Sequence, residues 1–153
     1  MNRYGRPRQK GKKGKLLVHA SKLEDTIIQN LEERGVEFKY EPVTFDYLRV
    51  VRGATCSECN GSHCRIRRRY TPDLAIGTFF VEIKGKLDSA TRSRMEAFHE
   101  GRPEIDLRYI FQRDNWLTSK HKNKYSDWAK KLGVKYHIGQ EVPEEWLIQT
   151  KSK

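Results

Sequence analysis

The chain has 153 residues, room for one domain with a modest core rather than two. Hydrophobic residues make up 36% and charged residues 33%, and no run approaches the roughly 18 apolar residues of a membrane span. The formal net charge of +11 points to nucleic acid as a partner, because Lys and Arg neutralise phosphates and release their counterions.

Residues 1–17 combine glycine with Arg3, Arg6, Arg8, Lys10, Lys12, Lys13 and Lys15 and contain no acid. That composition suits a flexible basic arm, and without an apolar h-region it does not read as a secretory signal. The folded domain is expected over 18–150. Its first helix starts in SKLEDTIIQNLEERG, with Ser21 as N-cap, Glu24 at the third helical position and Gly35 as the stop. At about 100° per residue Leu23, Ile27, Ile28 and Leu31 form one stripe, and Glu24 falls inside it. A carboxylate on such a stripe is costly unless paired or metal-bound, so Glu24 is a candidate catalytic residue beside its capping role.

VEFKYEPVTFDYLRVV alternates as a strand, with Pro42 marking an edge or a bend. RGATCSECNGSHCRIRRR reads as a loop-rich, cysteine-containing insertion at about 53–69. YTPDLAIGTFFVEIK then has the pattern of a hairpin. DSATRSRMEAFHEG is a helix capped near Asp88 or Ser89, and IDLRYIFQR is a strand. A short helix runs from Ser126 to a stop at Gly133, followed by the strand-like VKYHI and a helical turn in VPEEWL. The expected architecture is mixed α/β, a sheet flanked by helices. Trp116, Trp128 and Trp146 sit in apolar settings and read as core residues.

Positive charge is clustered rather than spread. Besides the arm there are Arg65, Arg67, Arg68 and Arg69, immediately before the hairpin, and Lys120, Lys122 and Lys124 further on. The arm and the arginine run are the candidate DNA contacts.

The hairpin carries the chemistry. Gly77-Thr78 fits a two-residue type II′ turn, which wants glycine at its first central position. That turn places Ile76 opposite Phe79 and, further along, Asp73 opposite Glu82. Alternation puts Glu82 and Lys84 on one face, Val81 and Ile83 on the other. Opposed like charges are destabilising, unless a divalent cation joins them. Two carboxylates can hold Mg²⁺, which keeps waters and phosphate oxygens at its other positions, while a neighbouring lysine orients water or neutralises developing charge. Asp73, Glu82 and Lys84 therefore suit metal-dependent phosphodiester hydrolysis.

Cys56 and Cys59, spaced as in one zinc knuckle, could join His63 and Cys64 in a structural Zn²⁺ site, or the cysteines could be three reduced thiols. The odd cysteine count argues against a disulfide framework and for a reducing, cytoplasmic compartment.

The stretches SKLEDTIIQNLEERGVEFKYE, YTPDLAIGTFFVEIKG, PEIDLRYIF and VPEEWL, in this order from about Ser21 to Leu147, resemble the phage endonuclease I family, Holliday-junction resolvases within the wider PD-(D/E)xK nucleases. The resemblance implies an αβββαβ core and Mg²⁺- or Mn²⁺-dependent cleavage of branched DNA in the cytoplasm of the infected host. It makes Asp73, Glu82 and the Ile83 carbonyl metal ligands, Lys84 the catalytic lysine and Glu24 the fourth active-site residue. It further implies an intertwined homodimer, exchanged through an extended bridge between about Glu41 and Arg52, with Glu24 completing the partner's site. The cysteine-rich insertion departs from that pattern. Two other readings stay open on the residues alone: a nicking or restriction-type endonuclease on ordinary duplex, and a noncatalytic zinc-containing nucleic-acid-binding module.

Overall fold

The computed structural model describes residues 21–52 and 63–151. Helix α1 (Lys22–Glu33) begins at Ser21, whose hydroxyl accepts from the Glu24 N–H, and ends before Gly35 at φ 65°. Its stripe of Leu23, Ile27, Ile28 and Leu31 is buried, as the spacing predicts.

The stretch read as one strand is two. Strand β1 (Lys39–Tyr40) and strand β2 (Phe45–Arg52) belong to different sheets, and Pro42 lies in the crossing between them. A proline lacks the N–H that a continuing ladder needs, so the chain leaves the sheet there. The insertion is also only partly loop. Strand β3 (His63–Tyr70) pairs antiparallel with β2 over eight residue pairs, from Phe45–Tyr70 to Arg52–His63. Of the segment expected as an extended bridge, residues 45–52 pair with β3.

Strands β4 (Leu74–Ile76) and β5 (Phe79–Lys84) form the predicted hairpin, with Ile76 opposite Phe79 and Leu74 opposite Val81. Gly77 takes φ 55° and Thr78 does not share a positive φ, as a type II′ turn requires. Helix α2 (Ser89–Gly101), N-capped by the Asp88 carboxylate on the Thr91 N–H at 2.7 Å, crosses from β5 to the parallel strand β6 (Leu107–Phe111). A parallel neighbour demands such a crossover. Helix α3 (Tyr125–Leu132), strand β7 (Tyr136–Ile138) and helix α4 (Glu144–Lys151) complete the described chain.

The main sheet runs β1-β4-β5-β6-β7, with β2-β3 standing apart as a two-stranded ribbon. With the ribbon set aside, α1, β1, β4, β5, α2 and β6 follow in the expected αβββαβ order. Apolar side chains fill both faces of the sheet. Leu74, Ile76, Val81 and Ile83 pack with α1 and with Trp146 and Leu147 of α4. Leu107, Tyr109 and Phe111 pack with α2, α3 and the ribbon's Tyr47 and Tyr70. Phe98 of α2 is fully buried, with ring centroids 4.6 Å from Tyr70 and 5.4 Å from Tyr47. The ribbon lies so close to the end of α2 that a Cβ at Gly101 would stand 3.0 Å from the Leu48 carbonyl oxygen.

One cation is buried as well. Arg108 of β6 lies under the Phe79 ring at 3.9 Å and beside Trp146 at 5.5 Å, paired with Asp106 at 2.7 Å. Trp128 and Trp146 are core residues as expected, but Trp116 is 44% exposed and stacks on His121.

Candidate active site

Asp73, Glu82 and Glu24 are 6%, 3% and 7% exposed, and they are the only acids buried among the described residues. Ionised carboxylates resist burial unless something compensates them, so three in one region mark a site with a job beyond packing.

The sheet itself makes the site. Strand β4 starts at Leu74, so the ladder between β4 and β5 ends at Leu74–Val81, while β5 runs on to Lys84. Asp73 thus stands just outside the ladder. Its carboxylate replaces the missing strand by accepting the Ile83 N–H at 2.7 Å. On the other side of β5, the Lys84 carbonyl accepts from the Gln112 N–H and the Phe80 N–H donates to Asp106. Backbone groups of successive strand residues point to opposite sides, so the Ile83 carbonyl turns toward Asp73 with its N–H. This notch lets residues from both faces of the sheet meet. Glu82 and Lys84 come from the face away from Val81 and Ile83, and Glu24 reaches the notch from α1.

Glu82 is held from two directions. Lys84 Nζ is 2.6 Å from its Oε1, and the Tyr70 hydroxyl donates to its Oε2. Glu24 accepts the Tyr40 hydroxyl at 3.0 Å and the Ser21 hydroxyl at 3.3 Å. It therefore belongs to the helix cap and also lies within electrostatic reach of Glu82 and Lys84.

Electrostatics tie the four together within one chain. Burial, then the charges of Glu82 and Glu24, push the Asp73 carboxyl well above its ordinary value. Burial also raises Glu24, against the lowering effect of Tyr40 and Ser21, and Glu82 adds to the rise. For Lys84 burial works against the ammonium, but the charge and hydrogen bond of Glu82 outweigh it and the net shift is upward. Lys84 is thus cationic at neutral pH. Tyr70 is pushed well above its ordinary value by burial and then by Glu82, so it stays a neutral hydroxyl donor. Tyr109, also buried near Glu82, bonds to His99 Nε2 at 2.7 Å, and burial lowers His99 to about 4.

The donor set fits a hard divalent cation: a carboxylate on β5, another just before β4, a carbonyl turned toward the second, and a mutual repulsion that a cation relieves. Among the described residues no three His, Cys, Asp or Glu side chains cluster as ligands, so the protein offers such a cation a carboxylate pair rather than a cage. That is the way Mg²⁺ is usually held, its other positions filled by water and phosphate.

Three neighbours of the site were not found from the sequence. Tyr70 and Tyr40 contact the carboxylates only because β3 and β1 bring them there, and Arg94 of α2 lies within electrostatic reach of Lys84. Tyr70 could have been suspected from its place just before Thr71-Pro72-Asp73, but its partner could not. Arg65, Arg67, Arg68 and Arg69 all lie on β3 and are exposed. Arg3, Arg6, Arg8, Lys10, Lys12 and Lys13 lie outside the described residues, as do Cys56 and Cys59. His63 and Cys64 open β3, with Cys64 opposite Val51. Among the described residues no helix is long and apolar enough to cross a membrane.

Comparison with known proteins identifies the family. The chain is 29% identical over 147 residues to Endonuclease I of Escherichia phage T7, covering 94% of this chain and 89% of that one. It is 29% identical over 116 residues to Endodeoxyribonuclease 1 of Enterobacteria phage T3, covering 74% of this chain and 67% of that one. A family model described as phage endonuclease I matches residues 4–153. The chain belongs to the phage endonuclease I family.

Proposed function

We propose that this protein is a divalent-metal-dependent endodeoxyribonuclease that hydrolyses phosphodiester bonds in branched DNA, four-way junctions foremost, and acts as a homodimer with one site per chain. The observation that carries the catalytic part is the notch itself: Asp73 against Ile83, Glu82 gripped by Lys84 and Tyr70, and Glu24 coupled to all three. The family, the names of its relatives and the charge of +11 support DNA as the substrate.

In this reading Asp73, Glu82 and the Ile83 carbonyl hold Mg²⁺ or Mn²⁺, which when bound supplies Lewis-acid stabilisation of the phosphate and a more acidic water. Lys84 stands beside them as a fixed cation. It orients the attacking water and offsets negative charge that grows on the phosphoryl oxygens. Glu24 lies on the approach from α1, where it accepts hydrogen bonds from water entering the notch. Water adds across the phosphorus–oxygen bond: its oxygen joins phosphorus, and a proton goes to the departing oxygen. Tyr70 keeps Glu82 in one orientation throughout.

The test is cleavage of a panel of four-way, three-way, nicked and linear DNAs with Mg²⁺, run beside Asp73→Ala. The expected result is preferential cutting of branched DNA by the wild type, with the variant binding junctions but leaving them intact. If the wild type cuts nothing, the catalytic reading fails. Equal cutting of linear duplex at matched concentration overturns the branched-DNA preference alone.

A further inference from the structure

The arginine run has a geometry that its sequence concealed. On the β2-β3 ribbon, Arg69 is paired with Asp46, Arg67 with Leu48 and Arg65 with Val50, so these six residues share one face. Arg68 is paired with Tyr47 and belongs to the other face, which packs on Phe98 of α2. The run of four is therefore three arginines on one face and one, exposed as well, on the other.

Same-face residues along a strand stand about 7 Å apart, so the three guanidinium groups form a row on the scale of a nucleic-acid backbone. Arg67 and Arg69 have side chains 75% exposed, and Leu48 beside them is 49% exposed. The only acid on this face is Asp46, and it sits inside the row. Its Oδ2 is 2.7 Å from Arg67 Nη2 and its Oδ1 is 3.8 Å from Arg69 Nε, while Arg102 approaches its backbone carbonyl at 2.9 Å. A carboxylate among three guanidinium groups occupies the place that a phosphate oxygen would take. Exposed ion pairs contribute little to folding, so this one is poorly explained as a stabilising contact. The row ends at Arg69, one residue before Tyr70, which turns to the other face and holds Glu82.

Resting on the nuclease reading above, we propose that the outer face of the ribbon is a docking surface for the DNA phosphate backbone, with Asp46 as an internal counter-anion that phosphates displace. Arg65, Arg67 and Arg69 then set substrate affinity, and Asp46 holds down affinity for DNA in general.

The experiment uses full-length Glu82→Ala protein, so that the DNA survives, and measures binding of a labelled four-way junction across a salt series. Adding Arg65→Ala, Arg67→Ala and Arg69→Ala together should make the dependence of log Kd on log salt shallower by about three. Arg68→Ala should change that slope less than any one of the three. Asp46→Asn should bind several-fold more tightly, the opposite sign on the same face. An unchanged slope in the triple variant, or unchanged affinity in Asp46→Asn with an unchanged melting temperature, overturns the proposal. Cleavage by the otherwise wild-type protein is scored separately. If it cuts nothing while the slope still falls, the nuclease reading fails and the docking face stands.

Discussion

The Tyr70 hydroxyl, carried on the last residue of the ribbon, donates to Oε2 of Glu82 on the main sheet. This one contact joins the two sheets at the site, and Lys84 holds the other oxygen of the same carboxylate at 2.6 Å. Hydrogen bonds to charged groups contribute about 1.5–3 kcal/mol. Tyr70→Phe keeps the ring against Phe98 and removes only the donor. We expect kcat to fall about ten- to a hundredfold with a higher half-saturating Mg²⁺ concentration, while the melting temperature changes little. Single-turnover cleavage across a Mg²⁺ series checks this, and wild-type rates at limiting metal would refute it.

Proton and metal compete at the notch. Asp73 and Glu24 have raised values in the folded protein. The stability they contribute is therefore complete below their ordinary values and is lost as pH rises through the raised ones. A bound cation relieves that loss and must displace any proton held there. Ca²⁺ or Mg²⁺ should accordingly raise the melting temperature of DNA-free protein more at pH 8 than at pH 5. His99 runs the other way. Lowered to about 4 by burial, it contributes stability above its ordinary value of 6.5 that is lost as pH falls toward 4. His99→Gln should flatten the acid side of the metal-free stability profile. Equal metal-induced shifts at both pH values would count against a carboxylate-held cation.

Because Glu24 lies beside the Asp73, Glu82 and Lys84 of its own chain, two differently inactivated chains should not rescue one another. Equal amounts of Glu24→Ala and Glu82→Ala proteins, unfolded and refolded together, are expected to show no more cleavage than either alone. Recovery of a substantial fraction of wild-type activity would mean that Glu24 is supplied across a dimer.

Phe98 supports the site from behind, packed on Tyr70, Tyr47 and Phe45. Phe98→Ala should cost about 3–5 kcal/mol, the usual range for emptying a fully buried aromatic position. Urea unfolding followed by fluorescence measures it. Cleavage should fall further than the folded fraction does, since Tyr70 loses its backing.

What could be read in the sequence had short range. The type II′ turn at Gly77-Thr78 fixes its register locally, so the pairing from Ile76–Phe79 to Leu74–Val81 followed from a handful of residues, whereas the expected pair of Asp73 with Glu82 does not form because β4 starts only at Leu74. The caps at Ser21 and Asp88 were legible for the same reason. The break at Pro42 was visible as a bend, but nothing local says that a chain will change sheets there. The arginine run looked like loop because four consecutive basic residues obscure period-two alternation, which only pairing with β2 reveals. Tyr70 and Tyr40 meet their carboxylates across 12 and 16 residues of chain, distances over which no periodicity helps. Trp116, taken for a core residue from apolar neighbours, lies on a loop that leaves it exposed.

The two ends of the ribbon are fastened side by side, with the hydroxyls of Thr44 and Thr71 2.7 Å apart. Strands β2 and β3 thus leave and re-enter the main sheet's side of the molecule at neighbouring points. Side chains on the outer face of these strands can be re-charged without displacing Asp73 or Glu82. The ribbon's base, through Tyr47 and Tyr70, stays keyed into the core and the site, so change is cheapest on the outer face.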